Sequence, residues 1–83
     1  MTDALDGNAI GGLLLEVFGT ELTAAQGTCG SCGAQRPVAE LAVYLRAPGT
    51  VVRCPSCDSV LMTFVEVRAI WSVDMRGLAE LEL

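Results

Sequence analysis

The sequence contains no histidine and no lysine; all five of its basic residues are arginines. Without histidine there is no ordinary general base, no Ser/His or Cys/His pair can form, and a metal would have to be held by other ligands. Without lysine, ten acidic residues face five cations and the formal charge is −5. Such a surface repels phosphates, which argues against non-specific nucleic-acid binding. Aromatic residues make up 5% of the chain, namely Phe18, Tyr44, Phe64 and Trp71. No apolar run approaches the roughly 20 residues that a membrane-spanning helix needs. The opening "MTDALDGNAI" is acidic rather than basic, unlike a secretory leader. The expected location is therefore cytoplasmic, where thiols stay reduced and disulfide frameworks are rare.

Against these absences stands an excess of apolar residues, 52% of an 83-residue chain, with nine glycines besides. A single domain this small hides only about 60% of the surface of its unfolded chain, so it needs a cross-link to be secure. The surplus of leucine and valine points to burial at an interface, with a second copy or with a different protein.

Along the chain, Ile10, Leu13, Leu14 and Val17 recur at helical spacing, which predicts a short N-terminal helix over about residues 7–18. Asp6 or Asn8 can cap its start and Gly19 can end it. Gly11 and Gly12 weaken it by about 1 kcal/mol each relative to alanine, and a backbone packing closely against that turn would account for glycines there. A β-rich region over about residues 20–76 follows. Thr20–Thr28 reads as an extended arm or a strand entering the first cysteine loop. Val38–Leu45 and Thr50–Arg53 read as a hairpin about the turn pair Pro48-Gly49, and Leu61–Val67 with Ile70–Met75 as a second hairpin about Arg68-Ala69. The ending "RGLAELEL" suits a short helix, a last strand or an acidic tail offering leucines to a partner. Trp71 reads as a core aromatic or an interface anchor.

All four cysteines lie in two short segments, "CGSCG" at 29–33 and "CPSCD" at 54–58. Two residues between thiols let one tight turn aim both sulfurs at an ion about 2.3 Å away. The residue after each pair often takes a positive φ, which Gly33 adopts freely and Asp58 tolerates. Pro55 stiffens the second turn. Flanking strands can bring the pairs together, so that four sulfurs complete a tetrahedron. A thioredoxin-like redox pair needs one such motif rather than two, and an iron–sulfur cluster needs looser geometry. Zinc and a single iron share the ligand set, and the aromatic shell for iron is thin. Four thiolates leave a zinc no vacancy for substrate, so a structural role is expected and catalysis is not. Glu40 and Glu66 are lone strand carboxylates of the kind usually solvated. Arg36 and Arg53 lie near the loops in sequence, and with Arg46 they form the one candidate cationic patch for nucleic acid.

The two cysteine segments resemble those of zinc ribbons and rubredoxin-type knuckles, and that resemblance assigns Cys29, Cys32, Cys54 and Cys57 as metal ligands. Over nearly the whole chain, through "TDALDGNAIGGLLLEVFGTELT", "VYLRAPGTVVRCPSC" and "VDMRGL", the sequence is similar to a family of small, mostly actinobacterial proteins of unknown function that carry the same cysteine pairs. The resemblance implies an accessory role beside flavin- or molybdopterin-dependent oxidoreductases and brings no activity of its own. The expectation is a single domain over 1–83, mainly β, with antiparallel hairpins, zinc-ribbon knuckles and a short N-terminal helix. It would hold one structural Zn2+, with Fe as the alternative, and act as a non-enzymatic interaction or accessory subunit with a protein partner or as a homodimer. No small-molecule substrate is evident.

Overall fold

A computed structural model describes residues 5–46 and 49–82. The chain is mainly β, in two antiparallel sheets. The larger is ordered β1-β4-β5-β6-β7, from Leu5–Asp6, Ala42–Arg46, Gly49–Arg53, Val60–Val67 and Ile70–Asp74. The smaller is ordered β3-β2-β8, from Gln35–Pro37, Gln26–Cys29 and Leu78–Glu82.

A 3-10 turn over Gly7–Ile10 runs into one helix, α1, over Gly11–Phe18. Asp6 caps the turn, its carboxylate accepting from the Asn8 amide at 3.1 Å. Gly19 ends the helix at φ 72, where its N–H reaches the Leu15 carbonyl. The helix docks on its own sheet. Leu14 is buried, and Phe18 meets Phe64 edge to face at 6.2 Å between ring centroids. Phe64 is fully buried, which contributes about 1.5–3 kcal/mol. The close approach anticipated at Gly11 and Gly12 lies elsewhere. Nothing comes within 4 Å of a Cβ placed on Gly12, whereas Gly7 sits against the backbone of Val38.

The first hairpin forms with Arg46 opposite Gly49, but its leading segment is not one strand. Val38–Glu40 is a 3-10 turn, and β4 begins only at Ala42. Pro37 at its start fixes φ, and the buried Val38 carries that turn over the Gly7 region. Pro48 lies outside the described residues. The second hairpin pairs Val67 with Ile70 across Arg68 and Ala69. Both turn residues are left-handed, at φ 54 and 64, the conformation of a type I′ turn, which favours Asn-Gly. The double substitution Arg68→Asn, Ala69→Gly is expected to stabilise the protein by about 1–2 kcal/mol. Thermal unfolding with metal present would then shift upward by about 4–8 °C for each kcal/mol.

Strict alternation fails at the start of β6. Leu61 and Met62 are both buried and Val60 is exposed. The register shifts opposite this point, between Val52 and Arg53, and Gly77 packs on Leu61 from the other side. The C-terminal segment is a strand, β8, that extends the β region past residue 76 and pairs with β2. Leu78 and Leu81 pack on the core while Glu80 and Glu82 are exposed, so these leucines are not displayed on a free tail; Leu83 lies outside the described residues. Trp71 is half-buried and also packs on the core.

Candidate metal centre

Each sheet contributes one cysteine turn. The first joins β2 to β3 in the small sheet, and the second joins β5 to β6 in the large one. Their backbone bonds correspond residue by residue. The Cys29 N–H donates to the Ala34 carbonyl at 2.9 Å, and the Gly33 N–H donates to the Cys29 carbonyl at 3.0 Å. The Cys54 N–H donates to Ser59 at 2.9 Å, and the Asp58 N–H donates to Cys54 at 2.7 Å. Gly33 (φ 77) and Asp58 (φ 65) take the left-handed conformation that closes each loop. A register shift immediately precedes each turn, between Thr28 and Cys29 and between Val52 and Arg53. Such bulges bend a strand and redirect its side chains.

The result is one sulfur cluster. All four Sγ atoms lie within 4.8 Å of one another, Cys29 to Cys57 at 3.6 Å and Cys32 to Cys54 at 3.7 Å. A tetrahedron with 2.3 Å metal–sulfur bonds needs sulfurs about 3.8 Å apart. All four cysteines are free thiols. The donor set and its spacing therefore fit a metal ion. Cys29 and Cys54 are buried, while Cys32 and Cys57 are exposed.

The electrostatics are uneven. The Ser59 hydroxyl, 3.2 Å from Cys57 Sγ, and then the Ser59 amide pull the Cys57 thiol down to about 6. At Cys54, desolvation raises the pKa, but N–H groups of Cys57 and Ser56 outweigh it and the net shift is downward. At Cys32 the Ala34 amide lowers the pKa, but lost hydration and the neighbouring sulfurs prevail, holding the thiol up at about 11. Four thiolates cannot share this space without a cation, since like charges raise one another's cost of ionising. A divalent ion removes that cost and displaces the protons.

Two arginines hold the second turn. Arg36 donates to the Ser56 hydroxyl at 3.0 Å, and Arg53 donates to the Asp58 carbonyl at 2.9 Å, its guanidinium lying 5.9 Å from the centre of the Tyr44 ring. Their carboxylate contacts, Glu40 at 3.7 Å and Asp58 at 3.8 Å, are surface ion pairs of small energetic weight. The Arg46 side chain lies outside the described residues. Ser59, which touches a sulfur directly, escaped the sequence reading; the available signal was a hydroxyl two residues beyond Cys57.

Ser59 gives a pH test. The native pKa of Cys57 is depressed, so its contribution to stability is present above the ordinary thiol value near 9 and is lost as pH falls through about 6. In Ser59→Ala protons compete better for that sulfur. The pH of half-maximal metal release, followed with a chromogenic chelator, should rise. An unmoved midpoint would show that the hydroxyl has no influence on the thiolate.

Among the described residues no helix is long and apolar enough to cross a membrane. No curated protein and no solved structure matches the chain. The model of a family of unknown function, DUF6510, matches residues 1–83, and with both cysteine pairs gathered as that resemblance implied, the chain belongs to this family.

Proposed function

We propose that this protein is a small cytoplasmic interaction module stapled by one structural zinc on Cys29, Cys32, Cys54 and Cys57, with no catalysis of its own. One observation carries the reading: the two sulfur pairs come from different sheets and converge within 4.8 Å. A zinc there closes its own coordination with thiolates and fastens the two sheets, leaving no position for a substrate. With no histidine in the chain and Glu66 exposed, the usual acid–base groups are absent from the described site. Exposed apolar side chains, among them Leu45, Val67 and Ile70, supply surface for a protein partner, while the net charge of −5 disfavours nucleic acid. An accessory role beside an oxidoreductase is the form of this function that the family resemblance suggests.

A second reading, a rubredoxin-like iron carrier of single electrons, is favoured by the solvent exposure of Cys32 and Cys57, which would put the ion near a partner's surface. Against it, Phe64 is engaged by Phe18 and Tyr44 by Arg53. Elemental analysis of protein from its native host, with co-purifying chains identified, decides between them. The zinc module requires a colourless protein with one zinc per chain and a stoichiometric partner or self-association. A red protein that bleaches reversibly on reduction establishes the iron carrier instead.

A further inference from the structure

Among the described residues, four strands form the outer edges of the two sheets, and three of them are blunted. Strand β1 is two residues long, β3 is three residues ending in Pro37, and β8 exposes Glu80 and Glu82. Short length, proline and charge are the ordinary devices that stop a sheet from pairing with a neighbour. The fourth edge, β7, has none of them along Ile70–Val73. It reads Ile-Trp-Ser-Val, with Ile70 70% exposed, Val73 37% exposed, and Asp74 at its end held by Arg76 at 2.7 Å.

The type I′ hairpin fixes which backbone groups this edge presents. Across a two-residue turn the flanking residues, Val67 and Ile70, form a hydrogen-bonded pair, and the pattern then alternates. Ile70 and Ser72 therefore spend their N–H and C=O groups on β6, while those of Trp71 and Val73 point outward. We propose that β7 pairs antiparallel with β7 of a second copy, about a two-fold axis at Ser72, making one continuous sheet twice as wide.

This register is the self-complementary one. It sets Trp71 opposite Val73 of the second copy and Val73 opposite its Trp71, so each outward group meets an outward group and both pairs exchange both N–H···O bonds. Trp71 and Val73 share the sheet face of Phe64, so the pairing also joins an aromatic to a β-branched side chain on the face covered by α1. Moving the axis by one residue leaves part of those groups unmatched. The seam also suits the charge. From residue 66 to 76 the chain carries Glu66, Arg68, Asp74 and Arg76, with no net charge, although the whole chain is at −5. Two acidic molecules therefore meet where their repulsion is least. The proposal rests on the interaction-module reading and is independent of which metal fills the site.

The test is the mass of the metal-loaded protein in solution, by sedimentation or light scattering, for the wild type, Val73→Lys and Val67→Lys. The wild type is expected at twice 8.7 kDa. Val73→Lys should drop twofold to the monomer with its metal content unchanged. Val67→Lys, which removes a more exposed apolar side chain whose backbone groups are already spent on β7, should stay at twice the mass. Amide exchange on the wild type tests the seam without any variant: Trp71 and Val73 should be protected when concentrated and exposed on dilution, with Ser72 protected throughout. A wild type that stays monomeric while retaining its metal overturns the seam and leaves the metal module standing. So does a dimer in which the Trp71 and Val73 amides exchange freely. A chain that dimerises without any bound metal keeps the seam and sinks the staple.

Discussion

Removing the metal with a strong chelator is expected to unfold the protein, and Cys54→Ser to prevent it from folding. Among the described residues the two sheets share no strand, and the ties between them include the Arg36 donation to the Ser56 hydroxyl at 3.0 Å and the packing of Gly77 on β6. The sulfur cluster spans the same junction. A domain of 83 residues has a net stability of about 4–12 kcal/mol. A structural zinc contributes apparent binding energy of about 10 kcal/mol or more to folding, as large as that whole margin. Loss of far-UV circular dichroism and of dispersed amide resonances on chelation, both restored by added zinc, is the expected result. Retention of a dispersed spectrum after every ion has been removed would sink the staple.

The same reasoning separates the four ligands. Cys29 and Cys54 are buried, at 3% and 2% exposure, so serine at either site leaves a hydroxyl in a place closed to water. Cys32 and Cys57 are exposed, and in their serine variants water can complete the coordination of the ion. Cys32→Ser and Cys57→Ser are therefore expected to stay folded with weakened metal affinity, read by competition with a chelator of known strength. Equal damage at all four positions would show that the buried and exposed sulfurs are not distinguished.

The cysteine cluster was legible in the sequence because its signal is local. Two-residue spacing, Gly33 and Asp58 each specify a turn within five residues, and the structure contains both turns. The helix was legible for the same reason, its apolar period lying between the cap at Asp6 and the stop at Gly19. What escaped was set by contacts far apart in sequence. That the two turns belong to different sheets depends on β8 returning to β2, across some 50 intervening residues, and the ambiguous string "RGLAELEL" carries no mark of that pairing. The break in Val38–Leu45 depends on Gly7, a position where nothing in the local sequence announces a crossing of backbones. Glycines at 11 and 12 drew attention because they interrupt a helix, yet the tightest contacts fall on Gly7 and Gly77.

Gly7→Ala and Gly77→Ala are accordingly expected to be among the most damaging single substitutions outside the cysteines. A Cβ on Gly7 would overlap the Val38 carbonyl oxygen and lie 2.6 Å from the Val38 carbonyl carbon. On Gly77 it would overlap the Val60 carbonyl oxygen and lie 2.6 Å from Leu61 Cα. In both places the obstacle is backbone, so no side-chain rotation can relieve it. At Gly7 the two 3-10 turns must separate. At Gly77 the link between the sheets must lift from the β5–β6 region beside the second cysteine turn. Overpacking of a native interior costs about 1–3 kcal/mol where side chains can adjust. Here, where they cannot, each substitution is expected to cost about 3 kcal/mol or more, and Gly77→Ala should weaken metal retention as well. Gly12→Ala is the control, since its Cβ meets nothing and the site is helical; it should stabilise by up to about 1 kcal/mol. Denaturant unfolding of the metal-loaded proteins measures all three. If Gly77→Ala proved as stable as Gly12→Ala, the crossing of residue 77 over β6 would be wrong, and with it the account of how the two sheets are held at the metal.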